Sequence, residues 1–398
     1  MINSPIEIRR GNIPDGWKLY SLEELVEFLD NQRRPIKSDD RKKIAGQYPY
    51  YGASGIIDWV DQYLFDEELI LLGEDGANIL DRSSRLSFKV SGKTWVNNHA
   101  HVLRPKGKVH IDFLTEYLES YDYTAINNSL SQPKLNKAEC EKLPIAVPSY
   151  EVQKRIGEIL STWDETIETL EKLITAKEKL KKGLMQQLLT GKKRLPGFEG
   201  EWETKRLGAY FDERVERGFN DLELLSVSKE GVHSQSTSDK RDISNKDKSK
   251  YKRVCKGDIA YNTMRMWQGR SALSSLEGIV SPAYTILSPK KDTSSRFFAY
   301  LFKLPEVVHL FYRNSYGLVS DTLNCKYKDF KIIKVVAPTF KEQEAIADVF
   351  DLLDSEIKMV EKKRVLIAQQ KKGLMQQLLT GKVRVPFLTV NNQSNSYE

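Results

Sequence analysis

Lys181-Lys182-Gly183-Leu184-Met185-Gln186-Gln187-Leu188-Leu189-Thr190-Gly191-Lys192 occurs twice, unchanged, the second time as Lys371 through Lys382. The offset of 190 residues is close to half of a 398-residue chain. An exact repeat at that period marks a duplicated architecture. Upstream the match continues without a gap: Pro148 meets Pro338, Gln153 meets Gln343, Ile156 meets Ile346, Asp164 meets Asp354, Ile167 meets Ile357, and Glu171-Lys172 meets Glu361-Lys362. Before that the offset drifts to 188, with Leu135-Asn136 against Leu323-Asn324. A fainter echo joins Ile13-Pro14-Asp15-Gly16-Trp17 to the stretch from Leu195-Pro196-Gly197 to Trp202. Residues 30–130 and 215–315 show no similarity to each other. The order is variable block, shared helix, variable block, shared helix.

The shared regions read as long helices. Ile156, Leu160, Trp163, Ile167, Leu170 and Ile174 are spaced as a heptad seam, broken at Lys177 and Lys181 and resumed at Leu184 and Leu188. Ile346, Phe350, Leu353, Ile357 and Val360 repeat the register, Arg364 interrupts, and Ile367, Leu374 and Leu378 follow. Pro148 and Pro338 stand before the helices and Gly191 and Gly381 after them, as start and stop signals. At 1.5 Å per residue, a helix of about 40 residues spans ~60 Å. A narrow apolar stripe of that length requires a partner, and the nearest is its own copy. An antiparallel pair relates the halves by a pseudo-twofold axis. The expected domains are 1–147 (first globular), 148–192 (first helix), 193–337 (second globular), 338–384 (second helix) and 385–398 (polar tail). Both globular blocks read as α+β. In the first, Tyr48 to Gly55 reads as turn-rich, while Glu68–Gly73, Leu86–Val90 and Trp95–Leu103 read as strands. In the second, a charged stretch from Ser234 to Arg253 includes Lys240, Arg241 and Lys246, diluted by Asp239 and Asp242.

Composition narrows the class. No run approaches the ~18 apolar residues of a membrane span, and the start of the chain lacks a signal-peptide layout, so a cytoplasmic location is expected. Cys140, Cys255 and Cys325 are odd in number and widely spaced, as ordinary reduced thiols are. A net charge of +7 is a mild bias toward a polyanion. Catalytic constellations are missing. Ser91-Gly92-Lys93-Thr94 ends like a phosphate loop but has Ser87 where the first glycine belongs. Gly73-Glu74-Asp75-Gly76 lacks a third glycine, and no Asn-Pro-Pro-Tyr-type methyltransferase motif occurs. His99 and His101 share a strand face but have no further ligand at metal spacing, and Glu74 and Asp75 fit a loop ion pair better than an acid–base pair. The expectation is a recognition protein without a metal site.

With those residues in view, the chain resembles the specificity subunit of type I restriction–modification enzymes. The likeness covers essentially its whole length. It rests on the two helix starts (Pro148-Ser149-Tyr150-Glu151-Val152-Gln153 and Pro338-Thr339-Phe340-Lys341-Glu342-Gln343) and on the identical tails. Tyr51-Gly52-Ala53-Ser54-Gly55, Leu72 to Asn78 and Val96 to His101 are similar to one type of target-recognition domain; Tyr261 to Gly269 and Gly278 to Tyr284 are similar to another. The resemblance implies a non-catalytic, DNA-binding subunit in which each variable domain reads half of a split target and the antiparallel helices set the spacer. It implies two modification (methyltransferase) subunits and restriction (translocase/nuclease) subunits as partners. Those would carry S-adenosylmethionine, ATP and Mg, with no cofactor in this chain. Candidate DNA contacts are Tyr51, Ser54, Asn97, Asn98, Gln132 and Lys134 in the first domain and Arg265, Gln268, Arg270, Arg313, Ser315 and Lys326 in the second. Candidate docking residues are Leu184, Met185, Leu188, Leu374, Met375 and Leu378, although helix pairing alone would also keep the tails identical. The alternatives are a methyltransferase with fused recognition domains and a coiled-coil scaffold with no DNA role.

Overall fold

The computed structural model describes residues 13–127, 132–228, 231–237, 247–317 and 322–385. The basic residues Lys240, Arg241 and Lys246 and nearly all of the polar tail lie outside them. Two compact units emerge, Met1–Glu171 with Lys362–Glu398, and Lys172–Glu361. Each long helix therefore gives one portion to each unit.

In the first unit, β1 (Lys18–Ser21) pairs antiparallel with β10 (Pro144–Val147). An antiparallel sheet runs in the order β2 (Val26–Phe28), β9 (Ala100–Pro105), β6 (Leu69–Gly73), β7 (Ser87–Val90). A second sheet runs β4 (Gly55–Val60), β3 (Ala45–Gly52), β8 (Lys93–Val96), β5 (Phe65–Asp66), with β3 parallel to β8. All five residues of β6 are buried. The pleat explains why its sequence does not alternate. Ile70 and Leu72 face a core shared with Phe113, Leu114, Tyr117 and Leu118 of the helix Ile111–Ser120. Leu69 and Leu71 face a second core with Phe65, Val96 and Val102. Two sequence expectations change here. The aromatic, turn-rich stretch from Tyr48 is mostly strand, because Tyr50 is buried on Trp95. Trp95–Leu103 is not one strand but β8 and β9 in different sheets, broken at Asn97-Asn98-His99.

The second unit repeats the first sheet strand for strand: β12 (Phe211–Glu213), β19 (Tyr284–Pro289), β16 (Ile259–Asn262), β17 (Ser271–Leu273). Ile259 and Tyr261 face one core and Ala260 the other, as in β6. The β11 (Glu203–Arg206) and β20 (Lys334–Ala337) pair matches β1 and β10. Among the described residues the second sheet has no such match. Its place is taken by two separate pairs, β13 (Leu225–Val227) with β14 (Val232–Ser234) and β15 (Lys252–Val254) with β18 (Gly278–Val280). The units thus share a frame and differ in what is mounted on it.

The long helices, Tyr150–Leu188 and Phe340–Leu378, have 39 residues each. Within each unit they run antiparallel. In the first, Arg364 pairs with Glu171 at 3.2 Å and Lys371 with Asp164 at 2.7 Å, one number rising as the other falls. In the second, Lys177 pairs with Glu356 at 2.8 Å and Lys181 with Asp354. The lysines that interrupt the apolar seam are therefore its ion-pair partners. Lys371–Asp164 and Lys181–Asp354 are the same pair under the 190-residue repeat. Other repeated residues also have matching jobs. Gln153 accepts from His110 N and donates to Pro148 O; Gln343 accepts from Ser294 N and donates to Pro338 O. Gly191 and Gly381 stop the helices at φ +71° and +66°, where a side chain is disfavoured. Gly191 lies against Trp202, and Gly381 against Pro14 and Trp17. The faint echo between the segments around Trp17 and Trp202 is this shared seat.

Candidate nucleic-acid interface

In each unit the frame holds one loop against one segment. After β6, Glu74 and Asp75 are tied down: Leu135 N donates to Glu74 O at 2.7 Å, Gly76 N to Pro133 O at 3.1 Å, and Glu74 N to His99 O at 2.8 Å. After β16, Cys325 N donates to Thr263 O at 2.9 Å and Thr263 N to Ala283 O at 3.1 Å. These bonds align Leu135 with Cys325, an offset of 190. The drift to 188 suggested by Leu-Asn matching Leu-Asn is therefore corrected: the bonded geometry keeps 190 throughout this region.

The first unit's site is a cleft of about 600 Å³ lined by Asp75, Gly76, Asp81, Gln132 and Lys134 among others. Its charges are mostly neutralised. Glu74 accepts from Arg33 at 2.6 Å and faces Lys134 at 3.3 Å, and Asp75 pairs with His99 at 2.8 Å. Beneath it His101, 1% exposed, contacts Asp30 Oδ2 at 2.6 Å through Nδ1 and Leu135 O at 2.8 Å through Nε2. Both acceptors demand an N–H, so the ring is a cation. Burial works against that charge, but Asp30 and Cys140 together outweigh it and hold the pKa up at about 10. The two histidines therefore do not form a metal pair: His99 serves Asp75, and His101 braces the segment that carries Lys134.

The second unit's site differs in chemistry. Residues 263–270 form a turn in which Trp267 Nε1 donates to Met264 O at 3.0 Å. The Trp267 ring lies 6.2 Å from Tyr312 on the helix Pro305–Arg313, and His309 stacks on Tyr312 at 6.2 Å. Tyr316 and Asn324 exchange backbone bonds at 3.0 Å, closing the patch.

The candidate contacts separate into two groups. Ser54, Asn98, Gln132, Lys134, Gln268, Arg270, Arg313 and Lys326 are exposed, and Arg265 is partly so. Gln132 and Lys134 share the first cleft. Gln268 and Arg270 line a cleft with Arg296, Tyr300 and Lys303. Three of the candidates are tied into the chain's own packing. Asn97 is 5% exposed, and its Oδ1 accepts from His99 N at 2.8 Å, so it shapes the turn. Ser315 Oγ donates to Phe311 O at 2.7 Å and finishes a helix. Tyr51 is half-buried, its ring 5.9 Å from Phe88 and its hydroxyl pKa raised by burial. The docking set is also corrected. Leu188, Met375 and Leu378 are at most 8% exposed, and Leu184, Met185 and Leu374 pack beside them in the chain's own cores. The exposed Tyr312, Tyr316 and Met264 went unnoticed in the sequence, where aromatic residues mostly signal core.

Among the described residues, no helix is long and apolar enough to cross a membrane and no cluster has metal-ligand geometry. A family model described as the type I restriction modification DNA specificity domain matches residues 14–179. A putative type I restriction enzyme specificity subunit of Haemophilus influenzae is 38% identical over 36% of this chain and 36% of its own length. The type I restriction enzyme MjaVIII specificity subunit of Methanocaldococcus jannaschii is 24% identical over 94% of this chain and 95% of its own. The crystal structure of the type I restriction–modification S subunit from M. genitalium shares the fold, with a TM-score of 0.61, 15% identity, and coverage of 94% of this chain and 99% of that one. Residues 14–179 thus match the type I restriction modification DNA specificity domain, and along nearly its whole length the chain is similar to the specificity subunits of type I restriction–modification systems.

Proposed function

We propose that each unit reads one half of a split DNA sequence, through the loop after β6 in the first and the loop after β16 in the second, and that the helix pair sets the number of unread base pairs between them. The observation that carries this reading is the duplicated frame with unlike loops at equivalent positions. Half-sites on one face of a duplex lie about one turn apart, ~34 Å; a helix of 39 residues is long enough to span that. The test is to assemble the chain with its neighbouring modification subunit and map methylated sites. Transplanting the segment 263–270 from another specificity subunit is expected to change one half of the target and leave the other. Change in both halves, or in neither, would falsify the reading. Exposed cations contribute through phosphate. Arg313→Ala is expected to weaken binding similarly on all sequences and to reduce the slope of log affinity against log salt by about one.

Partners enter through the residues of the repeat that the chain itself does not use. Gly183 and Gly373 sit inside helices with open space where a side chain would stand, and neither has a positive φ. A helix-interior glycine costs about 1 kcal/mol relative to alanine, so something other than this chain's own packing favours it. Close approach of a modification subunit, once per copy, accounts for both. That subunit and the restriction subunits would supply S-adenosylmethionine, ATP and Mg. Gly183→Ala with Gly373→Ala is expected to stabilise the isolated chain by up to ~2 kcal/mol while weakening assembly. Denaturant melts and sedimentation together check the opposite signs, and unimpaired assembly would count against the docking role.

A further inference from the structure

We infer that Tyr312, seated on Trp267 and His309, is a base-contacting aromatic face of the second unit. The inference rests on the DNA reading proposed above and names the chemistry of one half of it.

Three short segments meet at this place: 263–270 in the loop after β16, 309–317 at the end of a helix, and 322–328 before the next. Backbone bonds join them, from Cys325 N to Thr263 O and between Tyr316 and Asn324. The ring contact of Trp267 with Tyr312 completes the junction. On it stand three large apolar side chains open to solvent: Met264 at 42%, Tyr312 at 49% and Tyr316 at 69% exposure. Such a group on a surface marks a binding place. The Tyr312 ring is not loose, for it contacts both Trp267 and His309, each at 6.2 Å between centroids. A side chain ordered before binding loses less entropy when it binds.

Charge decides the occupant. The described residues of the three segments include Arg265, Arg270, Arg313, Lys326 and Lys328 and no aspartate or glutamate; Asp321, between the last two segments, lies outside the described residues. The next residue, Asp329, is 7% exposed and accepts from Lys326 N. Lysine, unlike arginine, is depleted at protein–protein interfaces, and Lys326 and Lys328 stand in these segments. An aromatic face carried by segments rich in cations suits a polyanion with flat, apolar bases, where the cations take phosphate and the ring takes a base face or a thymine methyl. The equivalent loop of the first unit holds Glu74 and Asp75, paired with Arg33, Lys134 and His99, and has no exposed aromatic junction of this kind among the described residues. The two units therefore read by different chemistry.

The test uses the full chain assembled with its modification subunit. It needs four labelled duplexes: the mapped target, the target with the second half scrambled, the target with the first half scrambled, and both scrambled. Tyr312→Ala is expected to bind the intact target about tenfold more weakly, as loss of a base–aromatic contact does. It should bind the duplex with a scrambled second half as wild type does, and Tyr312→Phe should behave as wild type throughout. Unchanged binding of the target by Tyr312→Ala overturns the inference. So does an equal loss on all four duplexes, or a loss of assembly with DNA affinity retained. Failure of the wild-type complex to prefer the target over the doubly scrambled duplex would instead defeat the DNA reading itself.

Discussion

Lys371→Met is expected to lower the stability of the first unit by about 3 kcal/mol, the scale on which a buried charge cluster responds to loss of one member. Lys371 Nζ lies 2.6 Å from Glu116 and 2.7 Å from Asp164, and its side chain and that of Glu116 are 7% and 5% exposed. Arg85 closes the group, contacting Glu116 and standing 2.8 Å from Asp164. Two cations balance two carboxylates, and removing one leaves a buried negative charge with half its partners. The repeat supplies an internal control. Lys181 occupies the same position in the second unit, but its side chain and that of Asp354 are 21% and 44% exposed. Water screens that pair, so Lys181→Met is expected to cost no more than ~1 kcal/mol. Guanidinium denaturation of both variants makes the comparison. Equal losses would mean that burial does not set the strength of these pairs.

That contrast shows how far the sequence could be read. The repeat revealed the two halves, the helix lengths and the seam, because long periodic patterns survive translation into structure. It also revealed Asp164 and Asp354 as equivalent, but not why they matter. Their lysines lie 207 and 173 residues away in the chain, and spacing is silent about such contacts. The loops were legible as loops, yet Asn97 looked like a reader and proved to be a turn residue. An amide side chain serves either role, and only its burial decides. The docking residues failed for a related reason. Identity between two copies says that a residue has the same job twice, without saying whether the job is internal. Leu188 and Leu378 work within the chain, whereas Gly183 and Gly373 have no internal work to do.

The brace under the first unit's cleft sets its behaviour with pH. His101 has an ordinary value of 6.5 and is held at about 10 in the fold. A group whose folded pKa is raised contributes stability that is full below the unfolded value and fades as pH climbs to the folded one. The chain is therefore expected to lose on the order of 4 kcal/mol between pH 6.5 and 10 from this one ring. Asp30→Asn removes the larger of the two partners, Asp30 and Cys140, that keep the ring charged. That variant should be less stable than wild type at pH 6.5, and the gap should close as pH approaches 10. Urea melts at pH 6.5, 8 and 9.5 give the difference directly, with other titrating groups common to both proteins. A gap independent of pH would mean that the ring is neutral in the fold, which the two acceptors at 2.6 and 2.8 Å oppose. The site should follow the same course. Leu135 receives one of the two bonds through its carbonyl and stands next to Lys134, which lines the cleft. Discrimination of the first half-site is therefore expected to weaken in Asp30→Asn at neutral pH while discrimination of the second half-site is unchanged, because no part of this brace lies in the second unit.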